Sequence, residues 1–260
     1  MSSSANEKPT IVVVQGSFQT PDVYKSLRDG LETLGYSTIH PNLPSLTNQD
    51  HPDFAKKNII DDALAIRVEL IRQIEYERKT VVLVMHSYGG LVGSEAVPEE
   101  LSYTYRQARG LPGGVVHLFY FSAFILAEDQ SVLGVFGEST REDIRPDGTY
   151  CIKNAAEVLY NDLPDADAKL WESRLVYQSY AVNKTKLTRA AYRYIPSTYL
   201  VCENDKAAPP QYQESFAASA GATVNRCAAG HSAMLSHTDM LASKIAAVAD
   251  KAISSAVPKS

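Results

Sequence analysis

Cysteine is scarce in this chain, and the little there is cannot cross-link it. Cys151, Cys202 and Cys227 are widely spaced and odd in number, and no C-x-x-C pair occurs. Neither a disulfide framework nor a thiolate zinc site is expected, and no metal site is assigned. Cys202 and Cys227 lie in apolar runs, the setting of a small buried hydrophobe. The expectation is a reducing compartment, hence a cytoplasmic protein. Long apolar runs are also lacking: nothing approaches the roughly 18 residues that a membrane-spanning helix needs. Basic charge is not in excess either. The net charge is −5, which offers no footprint for nucleic acid. Residues 1–8 lack the charged-then-apolar layout of a signal peptide; they and residues 256–260 read as disordered tails. No internal repeat or low-complexity tract appears.

What is present suits one large globular domain, or one domain with an inserted subdomain: 260 residues, 45% hydrophobic and 21% charged. The chain is organised around Val81-Val82-Leu83-Val84-Met85-His86-Ser87-Tyr88-Gly89-Gly90. A β-branched apolar run reads as a buried strand. It stops at Ser87 and turns into the small-residue segment Gly89–Ala96, which can open a helix. This is the strand–serine–helix context of a nucleophile elbow, in which a strained turn lifts a hydroxyl clear of a sheet. Gly89 stands where the G-x-S-x-G pattern wants it, but Met85 occupies the first glycine position.

The rest alternates strand and helix. Ile11–Val14 and Tyr36–His40 read as strands, with a helix between them carrying Val23, Leu27, Leu31 and Leu34. Thr20-Pro21 starts that helix and Gly35 closes it. A second helix carries Ile60, Leu64, Ile71 and Ile74. Val115–Phe121 is read as a fifth strand. The rhythm breaks over residues 128–195, where Asp147-Gly148 marks a hairpin among amphipathic patches. It resumes with strands at Ser197–Glu203 and Ala222–Arg226, a helix over 210–220 between them, and a last helix from Leu235 to Ser254. The expected fold is α/β: a doubly wound, mostly parallel sheet with helices on both faces. Residues 9–127 and 196–255 form its core, and 128–195 a mainly helical cap after the fifth strand.

A nucleophilic serine needs a base within hydrogen-bond reach and a third group to orient that base. In parallel sheets such groups collect at the carboxyl ends of strands. Asp205 and His231 each follow a strand, in the order Ser87, Asp205, His231 that this kind of site uses. His40, His51 and His237 lie in loops or near helix starts, His117 is mid-strand, and alternation points His86 away from Ser87. Glu203 is still inside its strand, and Glu128-Asp129 is a weaker choice of acid. The developing oxyanion needs donors: the Tyr88 amide is one and the Ser17 amide, in the loop Gly16-Ser17-Phe18, the other. Substrate contacts are assigned to Gly16, Phe18, Phe124, Phe136, Tyr160, Trp171 and Tyr177, each aromatic having plain core packing as its alternative.

Gly16-Ser17, His86-Ser87-Tyr88-Gly89-Gly90, Glu203-Asn204-Asp205 and Gly230-His231-Ser232-Ala233-Met234-Leu235 resemble the α/β-hydrolase superfamily, in particular its compact branch of plant methylesterases and hydroxynitrile lyases. The likeness covers residues 9–127 and 196–255, and the cap only loosely. It implies a Ser–His–Asp triad, no cofactor, and a lid over an apolar pocket. Three positions depart from the branch. Met85 replaces a small residue and must find room over Gly90 and Gly93, and Gln15 replaces a His. Gly16 and Ser232 stand where a hydroxynitrile lyase has Thr and Lys, which favours hydrolysis over cyanohydrin cleavage. The expected activity is cleavage of a carboxylic ester or lactone of a small hydrophobic or aromatic molecule. A lyase or cyclase using the same residues as acid and base, or a slow-turnover receptor, stays open, as does a homodimer.

Overall fold

The computed structural model describes residues 8–256. Strands β1 (Thr10–Val14), β2 (Thr38–Ile39), β3 (Thr80–His86) and β4 (Gly114–Phe121) come first in the chain. The strands β5 (Glu142–Ile144), β6 (Thr149–Ile152) and β7 (Gln178–Ser179) follow, then β8 (Ser197–Cys202) and β9 (Thr223–Cys227). Six of them form one parallel sheet in the order β2-β1-β3-β4-β8-β9.

The central strands are buried on both faces, as parallel strands covered by helices must be. Alternation then divides their side chains between two layers. Val81, Leu83 and Met85 join Val12 and Val14 in one core, which includes Ile66 and Leu70 of α2 (Ile59–Ile71) and Leu91 and Val92 of α3 (Gly89–Ala96). Val82, Val84, Ile11 and Val13 face the other, with Leu27 and Leu31 of α1 (Lys25–Thr33) and Leu241 and Ile245 of the last helix, Thr238–Ala256.

Local chemistry sets the helix ends. Asn58 and Asp61 form a reciprocal capping box at the start of α2. Thr20-Pro21 opens a 3₁₀ turn, Pro21–Tyr24, in front of α1 with no side-chain cap bond from Thr20, and Gly35 leaves α1 at φ +84°.

Several expectations change. Gly114–Phe121 is the fourth strand of the chain, not the fifth, since only β1, β2 and β3 precede it; the polar segment before it folds as helical turns at Glu99–Leu101 and Tyr103–Gln107. The insertion after it is mainly helical, with Val132–Phe136, Ala155–Val158, Asp165–Glu172 and Ala181–Lys184, and it also holds an antiparallel sheet of β5, β6 and β7 that the sequence did not announce. The Asp147-Gly148 turn joins β5 to β6, with Gly148 at φ +84° and Asp147 Oδ1 accepting from the Thr149 amide. The last helix is broken at His237. Lys8, assigned to a tail, donates to the Leu34 carbonyl at 2.7 Å, and Ala256 is helical; residues 1–7 and 257–260 lie outside the described region. Cys202 and Cys227 are register partners on β8 and β9, both free thiols.

The elbow finds its room in one place. A Cβ on Gly93 would lie 2.3 Å from Met85 Sδ, so the Met85 side chain occupies the space that α3 leaves there. Gly90 is committed elsewhere, where a Cβ would meet the Phe124 carbonyl oxygen at 2.4 Å. Gly89 crosses the end of β1, where a Cβ would meet the Val14 carbonyl oxygen at 2.3 Å. Behind the elbow, the buried Glu95 carboxylate accepts from Thr188 N and Arg189 N at 2.7 and 2.9 Å, tying α3 to the end of the insertion.

Candidate active site

Ser87 sits in the sharp turn between β3 and α3 at φ +52°, a left-handed conformation that costs energy in a non-glycine residue and persists only where the surroundings enforce it. Asp205 leaves the end of β8 and His231 lies beyond the end of β9. The three meet as buried side chains. His231 Nε2 lies 3.1 Å from Ser87 Oγ, and Nδ1 lies 2.9 and 3.0 Å from the two Asp205 oxygens. The carboxylate can only accept, so Nδ1 carries the proton and the Nε2 lone pair faces the hydroxyl. Asp205 is itself fixed by Ala207 N and Ala208 N at 2.8 and 2.9 Å and by Gln213 Nε2 at 3.1 Å.

His86 plays a part that strand alternation does not disclose. Its ring stacks on Phe121 and lies 4.8 Å from the His231 ring. Its Nε2 contacts the His231 carbonyl oxygen at 2.9 Å, which makes Nε2 the protonated nitrogen. Nδ1 lies 2.7 Å from Tyr24 Oη, whose one proton is shared between that nitrogen and Gln19 Oε1, also at 2.7 Å, while Tyr24 Oη accepts from Gly16 N at 2.8 Å. Burial, reinforced by the neighbouring His231, pushes the His86 pKa well below its ordinary value. His86 is therefore a neutral brace behind the His231 backbone. The Gly16 amide is used up by Tyr24, whereas the Ser17 and Tyr88 amides donate to nothing else among the described residues.

Ser87 and His231 open into a cavity of about 550 Å³. Its wall is largely aromatic and aliphatic, with Phe18, Phe124, Phe136, Tyr150, Tyr212 and Phe216 among its residues, while Gln19, Arg141, Glu142 and Asn183 supply polar atoms. Among the expected contacts, Gly16, Phe18, Phe124 and Phe136 line it. Tyr160, Trp171 and Tyr177 do not. Tyr160 is fully buried with its hydroxyl near Gln19 Nε2. Trp171 packs on the core beneath the Arg174 guanidinium, and Tyr177 donates to Asp143 under Arg145. Tyr150 and Phe216 escaped sequence reading. Phe216 lies in the helix Pro210–Ser219 that follows the Asp205 loop, a position the sequence marks only as apolar helix face.

Among the described residues no group of three or more His, Cys, Asp or Glu could hold a metal ion. No helix there is long and apolar enough to cross a membrane.

The chain is similar to "Alpha/beta hydrolase nvfD" of Aspergillus novofumigatus (strain IBT 16806), 32% identical over 257 residues, covering 95% of this chain and 98% of that protein. It is 30% identical over 217 residues to "Probable hydrolase R7" of Phoma sp. (strain ATCC 20986 / MF5453), with 80% and 82% covered. Among solved structures, polyneuridine aldehyde esterase superposes with a TM-score of 0.73 at 19% identity, over 94% of this chain and 100% of that one. The methylesterase MES16 from Arabidopsis superposes at 0.70 and 16% identity, over 94% and 99%. With the model of the Alpha/beta hydrolase family matching residues 11–244, this chain belongs to that family.

Proposed function

We propose that the protein is a serine hydrolase that cleaves a carboxylic ester or lactone of a small hydrophobic or aromatic molecule through an acyl-enzyme. The observation carrying this reading is the relay Asp205–His231–Ser87, set with its basic nitrogen on the hydroxyl at the floor of an aromatic cavity. His231 Nε2 takes the Ser87 proton as Oγ attacks the carbonyl, and Asp205 holds the imidazolium that results. The Ser17 and Tyr88 amides receive the oxyanion, each such donor being worth about 3 kcal/mol in the transition state. His231 then returns the proton to the leaving oxygen, and water releases the acyl group by the same steps.

The mixed insertion acts as a cap. It contributes Phe136, Tyr150, Ile152 and Leu159 to the cavity wall, so it selects the substrate while β3, β8 and β9 carry the chemistry. Ser87→Ala is the direct test. It should remove p-nitrophenyl ester hydrolysis and fluorophosphonate labelling, because losing a triad member costs several orders of magnitude. A variant retaining more than about a tenth of wild-type kcat would exclude Ser87 as nucleophile, since binding and oxyanion donors alone leave far less.

A further inference from the structure

Asp62 is fully buried in α2, one layer behind the elbow, and no cation pairs with it among the described residues. A lone buried carboxylate is costly, and an apolar residue would pack the α2 interface more cheaply. Its oxygens are nevertheless fully used. Oδ2 accepts from Tyr88 Oη at 2.7 Å and Ser45 Oγ at 2.6 Å, and Oδ1 accepts from Ser45 N at 2.8 Å. Tyr88 is the residue whose amide stands next to Ser87.

The connections continue outward from Ser45. Gln178 Nε2 donates to Ser45 Oγ at 2.9 Å, and Ser179 N to the Ser45 carbonyl at 3.1 Å, both from β7 of the insertion. Gln178 Oε1 accepts from Tyr150 Oη at 3.3 Å. The Tyr150 ring packs edge-on against Phe18, ring centres 5.0 Å apart. Val176 N, two residues before Gln178, donates to the Phe18 carbonyl at 2.9 Å. One buried polar chain thus starts at the residue bearing one oxyanion amide and ends at Tyr150, whose ring packs against the loop bearing the other.

We propose that the chain Tyr88–Asp62–Ser45–Gln178–Tyr150 is a positioning device for the oxyanion site, with Asp62 as its central positioning residue. The role rests on the serine-hydrolase reading. It explains why a carboxylate is kept where packing alone would exclude it: only an acceptor can hold the Tyr88 hydroxyl and the Ser45 loop at once. It also makes the cap part of the catalytic geometry, through Gln178 and Tyr150.

Tyr88→Phe keeps the ring and the backbone amide and cuts only the bond to Asp62. This variant, Asp62→Asn and Gln178→Leu are to be compared with wild type for kcat and KM on a p-nitrophenyl ester, and for Ki of an aryl trifluoromethyl ketone. That inhibitor forms a serine hemiketal whose oxyanion occupies the same donors. A displaced donor is a partial loss of one worth 10²–10³ in kcat, so a fall of about tenfold is expected. KM should change little, and Ki should rise in proportion to the loss in kcat/KM. Tyr88→Phe combined with Asp62→Asn should lose no more than the worse single variant, since both cut the same link. Variants that lose melting temperature while kcat/KM and Ki stay within twofold overturn the positioning role alone. If Asp62→Asn does not fold, Tyr88→Phe decides by itself. A wild type that neither turns over esters nor binds the ketone overturns the hydrolase reading, and the positioning role with it.

Discussion

The buried Asp62 carboxyl makes a quantitative statement about stability. Burial is the main cause that pushes its pKa from 3.8 to about 6; hydrogen bonds from Ser45 and Tyr88 pull the other way, and Asp61 adds a like charge. The folded protein therefore holds this proton more tightly than the unfolded chain. The resulting stability is fully present below about pH 4 and is lost as pH rises through about 6. The difference of about two pH units corresponds to roughly 3 kcal/mol at full development. Asp62→Asn removes the titration but keeps the shape. Urea unfolding of wild type and variant at half-unit steps from pH 4.5 to 8 isolates the effect, because the other titrating groups cancel in the difference. Wild type should lose stability relative to Asp62→Asn by up to about 1.4 kcal/mol per pH unit near pH 5 and level off above pH 7. A difference flat across that range, or one sloping the other way, refutes the assignment of a raised pKa to this carboxyl.

Other outcomes are expected together. Asp205→Asn should lower kcat by roughly 10⁴ by presenting the wrong His231 tautomer. Glu203→Gln, at a half-exposed carboxylate near Arg226, should leave kcat nearly unchanged; the reverse ranking would misplace the acid. Phe136→Ala should shift kcat/KM between acetyl and bulky aromatic esters, because Phe136 lines the cavity. Trp171→Ala, at a part-buried ring, should cost about 1–3 kcal/mol without changing the ester ranking. Gly93→Ala should destabilise by about 1–2 kcal/mol, overpacking against Met85 outweighing the gain in helix propensity. That penalty should vanish in a Met85→Ala background, as thermal melting of the four proteins will show.

The family and the parallel sheet were legible because their signals are local. A β-branched run ending in Ser-x-Gly, and an Asp and a His each just past a strand, survive as patterns in one dimension. The cavity wall was not, for a physical reason. Aromatic content marks apolar surface but not the direction it faces. Trp171 and Tyr160 bury against the core, while Tyr150 and Phe216 turn to the cavity from elements with no distinctive spelling. The strands β5 to β7 are too short to show a period. Asp62 reads as one more charge at a helix start, and only the fold brings Tyr88 and Ser45 to it. The Met85 departure was visible, but that Gly93 alone receives it depended on where α3 lands.

The separation of Ser87 from His231 by 144 residues bears on how the molecule acquires activity during folding. Bringing two residues that far apart together costs the loop-closure entropy of most of the chain. The strand leading to His231, β9, is largely solvent-facing and adds little apolar burial of its own. Its docking depends on pairing with β8 and on the packing of Leu241 and Ile245 with the α1 core. A partly folded chain that has built β1 to β4 holds a finished serine turn with no base beside it. Regain of the activity proposed above on refolding therefore reports the arrival of the C-terminal quarter, whereas tryptophan fluorescence follows the insertion that carries Trp171.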